Sequence, residues 1–396
     1  MKSAFLNLLN VGWNEKEKRG LEFTPPEIAQ QPSVWLKTVA QLKGQQKEIK
    51  VFLKKSGLAG SDKATLIFVG AGTSEFVGNS VYHGLKNRLN RETISIPTTH
   101  FVTNPLTMLV RDNKYVVCSF ARSGDSPESV ATYNIIKRFY KNAKQLVITC
   151  NKNGALAKRA GTEKGQFCIV LPDETNDKSL VMTSSFSTMA MTAMSLGYVN
   201  SFAKFEKEMK ITAAAGERIM AVYGDLIAKL GKLPFDRACF LGSGNLYGTM
   251  QECHLKMQEM TEGRVACRFD SFLGLRHGPQ VFVNKKCLTV AAVSSDKYVR
   301  RYELDLLRQL KKNKQGMATL IICGKADKEI KKLSPHVIEL FPKGKPAHDD
   351  LRILTDVMVG QILGTFKSMA IGLKPDNPST SGTINRVVKG VTIYEK

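Results

Sequence analysis

Three titratable side chains in one predicted helix have the types and the spacing that proton transfer needs. Glu252, Lys256 and Glu259 follow one another at i, i+4 and i+7, which places them within about 60° around a helix. When two carboxylates flank an ammonium, the charges that surround them give the two carboxyl groups different pKa values. Such a difference is typical of sites that transfer protons. The alternative is a solvated Glu–Lys pair with a third charge beside it, which is common on helix surfaces.

A histidine follows this helix and could supply a second proton-transfer group. His277 stands in the sequence LRHGP, and an imidazole changes its charge near neutral pH. The alternative is a turn residue before Gly-Pro. The other histidines are predicted to be structural: His83, His100, His254, His336 and His348.

Three hydroxyl-rich segments are predicted to bind an anion. They follow predicted strands or open a helix, where backbone N–H groups and Ser or Thr hydroxyls can bind a monophosphate; helix capping is the alternative. The chain has no GxxxxGK[ST], and GxGxxG is not completed after Gly72, which argues against a nucleoside triphosphate and a dinucleotide. The segments are Gly70–Ser74, Arg122–Pro127 and Met182–Ser185.

The order of apolar runs predicts an α/β fold that is built twice. From Thr65 onward, runs rich in Val and Ile alternate with helical segments, which is typical of a parallel sheet covered by helices on both faces. RACFLGSGNLYG repeats TLIFVGAGTSEFVG 172 residues later, so the sequence predicts a duplicated unit. We predict a helical lead-in at 1–44, domains at 45–215 and 216–372, and a polar tail at 373–396.

Composition narrows the function classes. A net charge of +23 is compatible with nucleic-acid binding, but the basic residues are scattered and no nucleic-acid-binding motif is present. Binding of a small anionic metabolite, or a basic surface that serves only solubility, explains the charge equally well. No apolar run reaches the ~18 residues of a membrane span, and the start lacks a signal-peptide pattern, so we expect a cytoplasmic protein. The eight cysteines contain no CxxC, and we predict neither metal nor cofactor.

The motifs taken together resemble the SIS (sugar isomerase) family, with two such domains in tandem from about residue 40 onward. The resemblance is carried by GAGTS, SFARSGDSPES, LVMTSSFSTMA, LGSGNLYG, QECHLKMQEM, LRHGP and RVVKGVTIYE. The chain is similar to the isomerase half of glucosamine-6-phosphate synthase and to bacterial galactosamine-6-phosphate deaminase/isomerases, often called tagatose-6-phosphate ketose/aldose isomerases. The resemblance implies two parallel sheets, each between helical layers.

The resemblance also implies roles for residues of this chain. Glu259 matches the proton-shuttling glutamate, and Lys256 and Glu252 match its helix neighbours. His277 matches a ring-opening histidine that the partner subunit contributes in relatives, and Lys389 matches a tail lysine close to the substrate. The implied phosphate ligands are Ser74, Ser123 and Ser126, and with less support Thr183 and Ser184.

Two departures from the synthase shape the expected function. The chain has no glutaminase domain, so release of ammonia is expected rather than its incorporation. In the phosphate loop the family's Ser-x-Ser-Gly-x-Thr becomes Ala121-Arg122-Ser123-Gly124-Asp125-Ser126. One hydroxyl is lost and an arginine is present, whose guanidinium could pair with the phosphate. We therefore expect a homodimer or higher oligomer that converts D-galactosamine 6-phosphate to D-tagatose 6-phosphate and ammonia. Glucosamine-6-phosphate deamination, plain ketose/aldose isomerisation and a non-enzymatic sugar-phosphate regulator remain alternatives.

Overall fold

The computed structural model describes residues 3–343, 347–388 and 390–394. The chain divides into two compact units, each made of segments that are distant in sequence. We call them the N-unit and the C-unit. The N-unit comprises Ser33–Asp177, Ser184–Lys207 and Ile384–Lys396, and the C-unit comprises Met1–Pro32, Lys178–Thr183 and Glu208–Thr383.

The strands follow the apolar runs of the sequence, and the helices lie between them. The strands are β1 (Thr65–Gly70), β2 (Thr93–Pro97), β3 (Tyr115–Ala121), β4 (Ala143–Thr149), β5 (Phe167–Val170), β6 (Arg237–Leu241), β7 (Ala266–Asp270), β8 (Cys287–Val293), β9 (Ala318–Cys323) and β10 (His336–Glu339). The helices are α1 (Ala4–Leu9), α2 (Trp13–Arg19), α3 (Thr24–Ala29), α4 (Gln31–Gly44), α5 (Gln46–Lys55), α6 (Thr73–Leu89), α7 (Thr98–Thr103), α8 (Pro127–Phe139), α9 (Ala155–Thr162), α10 (Ser184–Leu196), α11 (Phe202–Gly231), α12 (Asn245–Met260), α13 (Phe272–Leu275), α14 (Lys297–Lys312), α15 (Lys328–Leu333) and α16 (Asp349–Ala370).

The N-unit contains a parallel sheet in the order β2-β1-β3-β4-β5. Its central strand β3 is buried at every position, as expected of a strand with helices on both faces. After β1 the chain forms β2 at one edge of the sheet. It then crosses to the other side of β1, where β3, β4 and β5 follow toward the opposite edge. Ligands of such sheets bind at this switch point, outside the carboxyl ends of the strands. The loops after β1 and β3 are the two loops that border it.

The C-unit repeats this plan with a parallel sheet in the order β10-β9-β8-β6-β7. The turns after β1 and β6 have nearly the same backbone, since φ is 56° at both Gly72 and Gly244, a region that favours glycine. A Cβ atom at Gly70 or at Gly242 would lie 2.3 Å from the backbone of the following helix. The repeated Gly-x-Gly is therefore a steric requirement of the strand-to-helix turn.

The fold class is confirmed as α/β with two parallel sheets between helices, and all ten strands coincide with apolar runs. The short helices α1, α2, α7 and α9 were not predicted, because six to eight residues carry too little periodic signal. The described part of the tail contains neither helix nor strand. Among the described residues, no helix is both long enough and apolar enough to cross a membrane.

Candidate active site

The three predicted proton-transfer residues lie side by side on α12 in the C-unit. The Lys256 ammonium lies 3.3 Å from Glu252 Oε1 and 2.5 Å from Glu259 Oε2. The side chains of Glu252 and Lys256 are completely buried, whereas that of Glu259 is 24% exposed. The cluster is thus a buried ion triad and not a solvated surface pair. Of its three side chains, Glu259 is the one that an external molecule can reach.

Two glycines of α16 explain why this face of α12 is buried. A Cβ atom at Gly360 would lie 2.5 Å from the Cys253 sulfur, and one at Gly364 would lie 2.6 Å from the Met260 sulfur. Such distances leave no room for a side chain, so the glycines allow α16 to pack directly on α12. This close approach removes Glu252 and Lys256 from water.

The triad keeps Lys256 charged although it is buried. Burial alone lowers the pKa of an ammonium, but the neighbouring carboxylates of Glu252 and Glu259 outweigh it and raise the pKa of Lys256 above its ordinary value. A charged ammonium 2.5 Å from Glu259 orients that carboxylate. An oriented and partly exposed carboxylate is suited to act as a general base.

His277 lies in the loop between α13 and the next short helical turn, and it is exposed. Its backbone N–H donates to the carbonyl of Gly274 at 3.0 Å, which fixes the turn. Large apolar side chains on the two short helical segments that flank this loop are also exposed, namely Leu273 of α13 at 46% and Val281 of the following turn at 85%. Exposed apolar side chains around a polar group are typical of a surface that contacts another protein.

His254 shares α12 with the triad but has other contacts. Its ring packs on Phe269 with 4.8 Å between centroids, and its Nδ1 lies 2.6 Å from the Gln251 carbonyl. Burial lowers its pKa. Its contacts therefore agree with the predicted structural role.

In the N-unit, the predicted phosphate residues Ser74, Ser123 and Ser126 occur at the carboxyl ends of β1 and β3. Ser74 lies in the first turn of α6, and Ser126 is the N-cap residue of α8. The Ser126 hydroxyl donates to Ser129 Oγ at 2.7 Å, and Ser123 Oγ accepts the N–H of Asp125. Both loops flank the switch point of the sheet, the usual position of an anion site.

The loop that carries Ser123 is held by the neighbouring loop after β4. Asn151 donates its amide to the Ser123 carbonyl at 2.8 Å, and the Ala155 N–H donates to Asp125 Oδ1 at 2.8 Å. Gly154 lies so close to the Ser123 carbonyl that a Cβ atom would be 2.4 Å away. These contacts fix the backbone that would present hydroxyl and N–H groups to an anion.

The predicted ligands Thr183 and Ser184 have a structural environment instead. Both are completely buried. The Ser184 hydroxyl and N–H both donate to the carboxylate of Asp177, and so do those of Ser185. Asp177 thus caps α10 with its own negative charge, at the position where an external anion would bind. Its contacts do not support Ser184 as a phosphate ligand.

Arg122 contacts the C-terminal tail. Its side chain is nearly buried, and Nη2 donates to the carbonyl of Arg386. The Arg386 guanidinium in turn donates to the Asp177 carbonyl at 2.7 and 2.8 Å and to Asn176 Oδ1 at 2.7 Å. Arg386 begins the tail motif RVVKGVTIYE, but neither Arg386 nor Asp177 was predicted as a site residue. The predicted tail residue Lys389 lies outside the described residues.

A second buried charge cluster, which was not predicted from the sequence, lies at the start of α16. Arg352 is completely buried and donates to the Val293 carbonyl at the end of β8, to Asp349 at 3.1 Å and to Asp356 at 2.8 Å. It fastens the start of α16 to the C-unit sheet and thereby positions the helix that packs on α12. The spacing of Asp349, Arg352 and Asp356 at i, i+3 and i+7 places them on one helix face, and this pattern could have indicated the cluster from the sequence.

Known proteins resemble this chain over nearly its whole length, although no protein-family model matches it. The D-galactosamine-6-phosphate deaminase AgaS of Escherichia coli is 34% identical over 376 residues, covering 94% of this chain and 95% of the relative. A solved structure from Clostridium novyi NT is 34% identical with a TM-score of 0.92, covering 96% of this chain and 97% of that one.

A second solved structure is the tagatose-6-phosphate ketose/aldose isomerase of Escherichia coli, 31% identical with a TM-score of 0.86 over 94% of this chain and 96% of that one. These identities extend across both sheets and the helices that carry the candidate site. They confirm the resemblance drawn from the motifs. The chain therefore belongs to the AgaS family of D-galactosamine-6-phosphate deaminases and has the tandem SIS fold of its members.

Proposed function

We propose that the protein is an amino-sugar-phosphate deaminase/isomerase that converts D-galactosamine 6-phosphate to D-tagatose 6-phosphate and ammonia, a step of amino-sugar catabolism. The observation that carries this proposal is the buried triad on α12, in which only Glu259 is partly exposed. A regulatory sugar-phosphate-binding domain needs no partly exposed carboxylate held by a buried cation. The names of relatives at 34% and 31% identity support the substrate and the reaction.

The proposed reaction is a proton transfer followed by hydrolysis. His277 assists opening of the sugar ring, and Glu259 removes the proton from C2 of the open-chain amino aldose. Glu259 then delivers this proton to C1, which leaves a ketimine at C2. Water adds to the ketimine carbon, and the C–N bond breaks to give the ketose phosphate and ammonia. The negative charge that develops during enolisation requires nearby positive charge.

Lys256 and Glu252 act through Glu259 in this proposal. The Lys256 side chain is fully buried and therefore does not contact the substrate itself. We propose that Lys256 orients Glu259, and that Glu252 offsets the cost of burying the ammonium. A buried cation without a nearby carboxylate would lose its proton or destabilise the fold.

The phosphate group is assigned to the N-unit loops. We propose Ser74, Ser123 and Ser126 as ligands, since they occur at helix starts on either side of the sheet's switch point. Lys389 is proposed as a tail residue that approaches the substrate, on the family resemblance alone. The positive net charge of +23 favours the approach of an anionic substrate.

We also propose that the enzyme is a homodimer in the cytoplasm, with His277 of each chain acting in the active site of the other. The exposed Leu273 and Val281 beside His277 support an interface there, because association would bury them. A two-fold axis would create two equivalent composite sites. The eight free thiols suit a reducing compartment.

Plain ketose/aldose isomerisation is the second candidate, because one related solved structure is described as a tagatose-6-phosphate ketose/aldose isomerase. It would use the same base and the same phosphate loops. The experiment that separates the two is incubation with galactosamine 6-phosphate and assay of both ammonia and ketose phosphate. Glucosamine 6-phosphate in a parallel reaction tests the configuration at C4. Equal amounts of ammonia and tagatose 6-phosphate from galactosamine 6-phosphate support deamination. A plain isomerase would release no ammonia from galactosamine 6-phosphate but would convert galactose 6-phosphate, which carries no nitrogen, to tagatose 6-phosphate, and this result would contradict deamination.

A further inference from the structure

The C-terminal segment Ile384–Val388, which we call the tail anchor, is joined to the phosphate-loop region of the N-unit by three consecutive contacts. Arg122, the first residue after β3, donates Nη2 to the Arg386 carbonyl. The Arg386 side chain donates to the Asp177 carbonyl and to Asn176. The Asp177 carboxylate then accepts four donors at the start of α10.

The position of Arg122 decides between two roles for its guanidinium. A phosphate ligand presents its charge to the binding space, whereas the Arg122 side chain is nearly buried, with only 7% of the residue exposed, and donates to a backbone carbonyl. Guanidinium groups can bridge a loop and a distant backbone segment because their N–H groups point in fixed, divergent directions.

We propose that Arg122 is a positioning residue that fastens the tail anchor to the phosphate loop. Under the proposed function, on which this inference rests, the family's tail lysine corresponds to Lys389, three residues after Arg386. By holding Arg386, Arg122 limits where the following residues can reach. The loop that binds the phosphate and the segment that precedes the tail lysine then move as one element.

The residues beyond the anchor support a fixed course for the tail. Val391–Tyr394 line a cavity of about 860 Å³ together with residues of α7 and α8, including Val102, Ile135 and Phe139. The tail is therefore held at Arg386 and again lies along α7 and α8 five residues later.

Limited trypsin digestion of the complete protein without substrate tests the inference. Trypsin cleaves after Arg386 only when this side chain leaves its contacts with Asp177, and intact mass spectrometry detects the product that ends there. Arg122→Ala should accelerate this cleavage about tenfold to a hundredfold, the change in an opening equilibrium expected for one lost charge-assisted hydrogen bond. Arg122→Lys should restore part of the protection, and Arg159→Ala, which removes an exposed arginine of α9, should cleave like wild type.

Steady-state kinetics then separate tail positioning from phosphate binding. Arg122→Ala should lower kcat more than it raises KM for galactosamine 6-phosphate, and it should add little to the defect of a chain that ends at Thr383. Wild-type cleavage after Arg386 in Arg122→Ala, or a large rise in KM with unchanged cleavage, would overturn the inference. The digestion uses no substrate, so its outcome does not depend on whether the proposed function is correct.

Discussion

The Lys256 ammonium lies 2.5 Å from the carboxylate of Glu259 and 3.3 Å from that of Glu252, and the Lys256 side chain is fully buried. Lys256→Met removes the cation but leaves the buried carboxylate of Glu252 in place. We expect this variant to lose about 3–5 kcal/mol of unfolding free energy, as is typical when one partner of a buried ion pair is removed. Urea unfolding of the purified protein measures the loss.

Two further variants define the origin of that loss. Lys86→Met makes the same substitution in an exposed ion pair with Glu92 and should cost less than about 1 kcal/mol. Lys256→Met combined with Glu252→Gln should cost less than the sum of the single changes, because the uncompensated charge is gone. Equal losses in Lys256→Met and Lys86→Met would show that the triad is not buried as described.

Glu303 of α14 makes stability depend on pH. Burial raises its pKa from an ordinary 4.5 to about 7, and hydrogen bonds from Ser243 and Ser294 only partly offset this rise. Between these two values the folded protein holds a proton that the unfolded chain has lost, so stability falls as pH rises through this window. The size of the effect is roughly 3 kcal/mol.

Glu303→Gln should remove this part of the pH dependence. The variant should gain stability relative to wild type as the pH is raised from 4.5 to 8, as measured by urea unfolding at several pH values. Glu329→Gln, at an exposed ion pair with Arg308, is the matched control and should leave the wild-type profile unchanged. A Glu303→Gln profile parallel to that of wild type would mean that Glu303 is already ionised in the folded protein at low pH.

The hydroxyl groups of the loop after β3 should act on substrate binding. Ser123→Ala and Ser126→Ala are expected to raise KM for the phosphorylated sugar with a smaller effect on kcat, because phosphate contacts are made equally in the ground state and the transition state. Ser61→Ala, at an exposed loop position of the same unit, should behave like wild type. Unchanged KM in both loop variants would place the phosphate elsewhere.

Mixing two inactive variants tests whether each subunit contributes its His277 to the active site of its partner. Glu259→Gln and His277→Ala should each be inactive alone, whereas a mixed dimer has one site that contains both wild-type residues. Part of the activity should therefore return after subunit exchange, which native mass spectrometry monitors. Exchange without recovery would assign His277 to the active site of its own chain or deny it a catalytic role.

The strands and the repeat could be predicted because the central strands are continuous apolar runs and because a Gly-x-Gly turn follows both β1 and β6. The shared face of Glu252, Lys256 and Glu259 follows from helix geometry alone. Their burial does not, because it depends on Gly360 and Gly364 about a hundred residues later, where the missing side chains let α16 approach α12.

Other parts of the site depend on partners that no local pattern reveals. Hydroxyl residues at a helix start predict an anion site, but whether an external anion or an internal carboxylate occupies it depends on the path of the preceding loop. At Ser184 the Asp177 carboxylate binds these donors. Likewise Arg122 could be read as a phosphate ligand from its loop, whereas its partner Arg386 is 264 residues away.

The most direct test of the account is ammonia release from galactosamine 6-phosphate by wild type and by Glu259→Gln, measured with tagatose 6-phosphate in the same reaction. Wild type should release one ammonia for each tagatose 6-phosphate formed. Glu259→Gln should bind the substrate but turn it over at least about 10²-fold more slowly, the usual cost of losing a general base. Absence of ammonia and ketose phosphate from the wild-type reaction, or wild-type turnover by Glu259→Gln, would contradict the account.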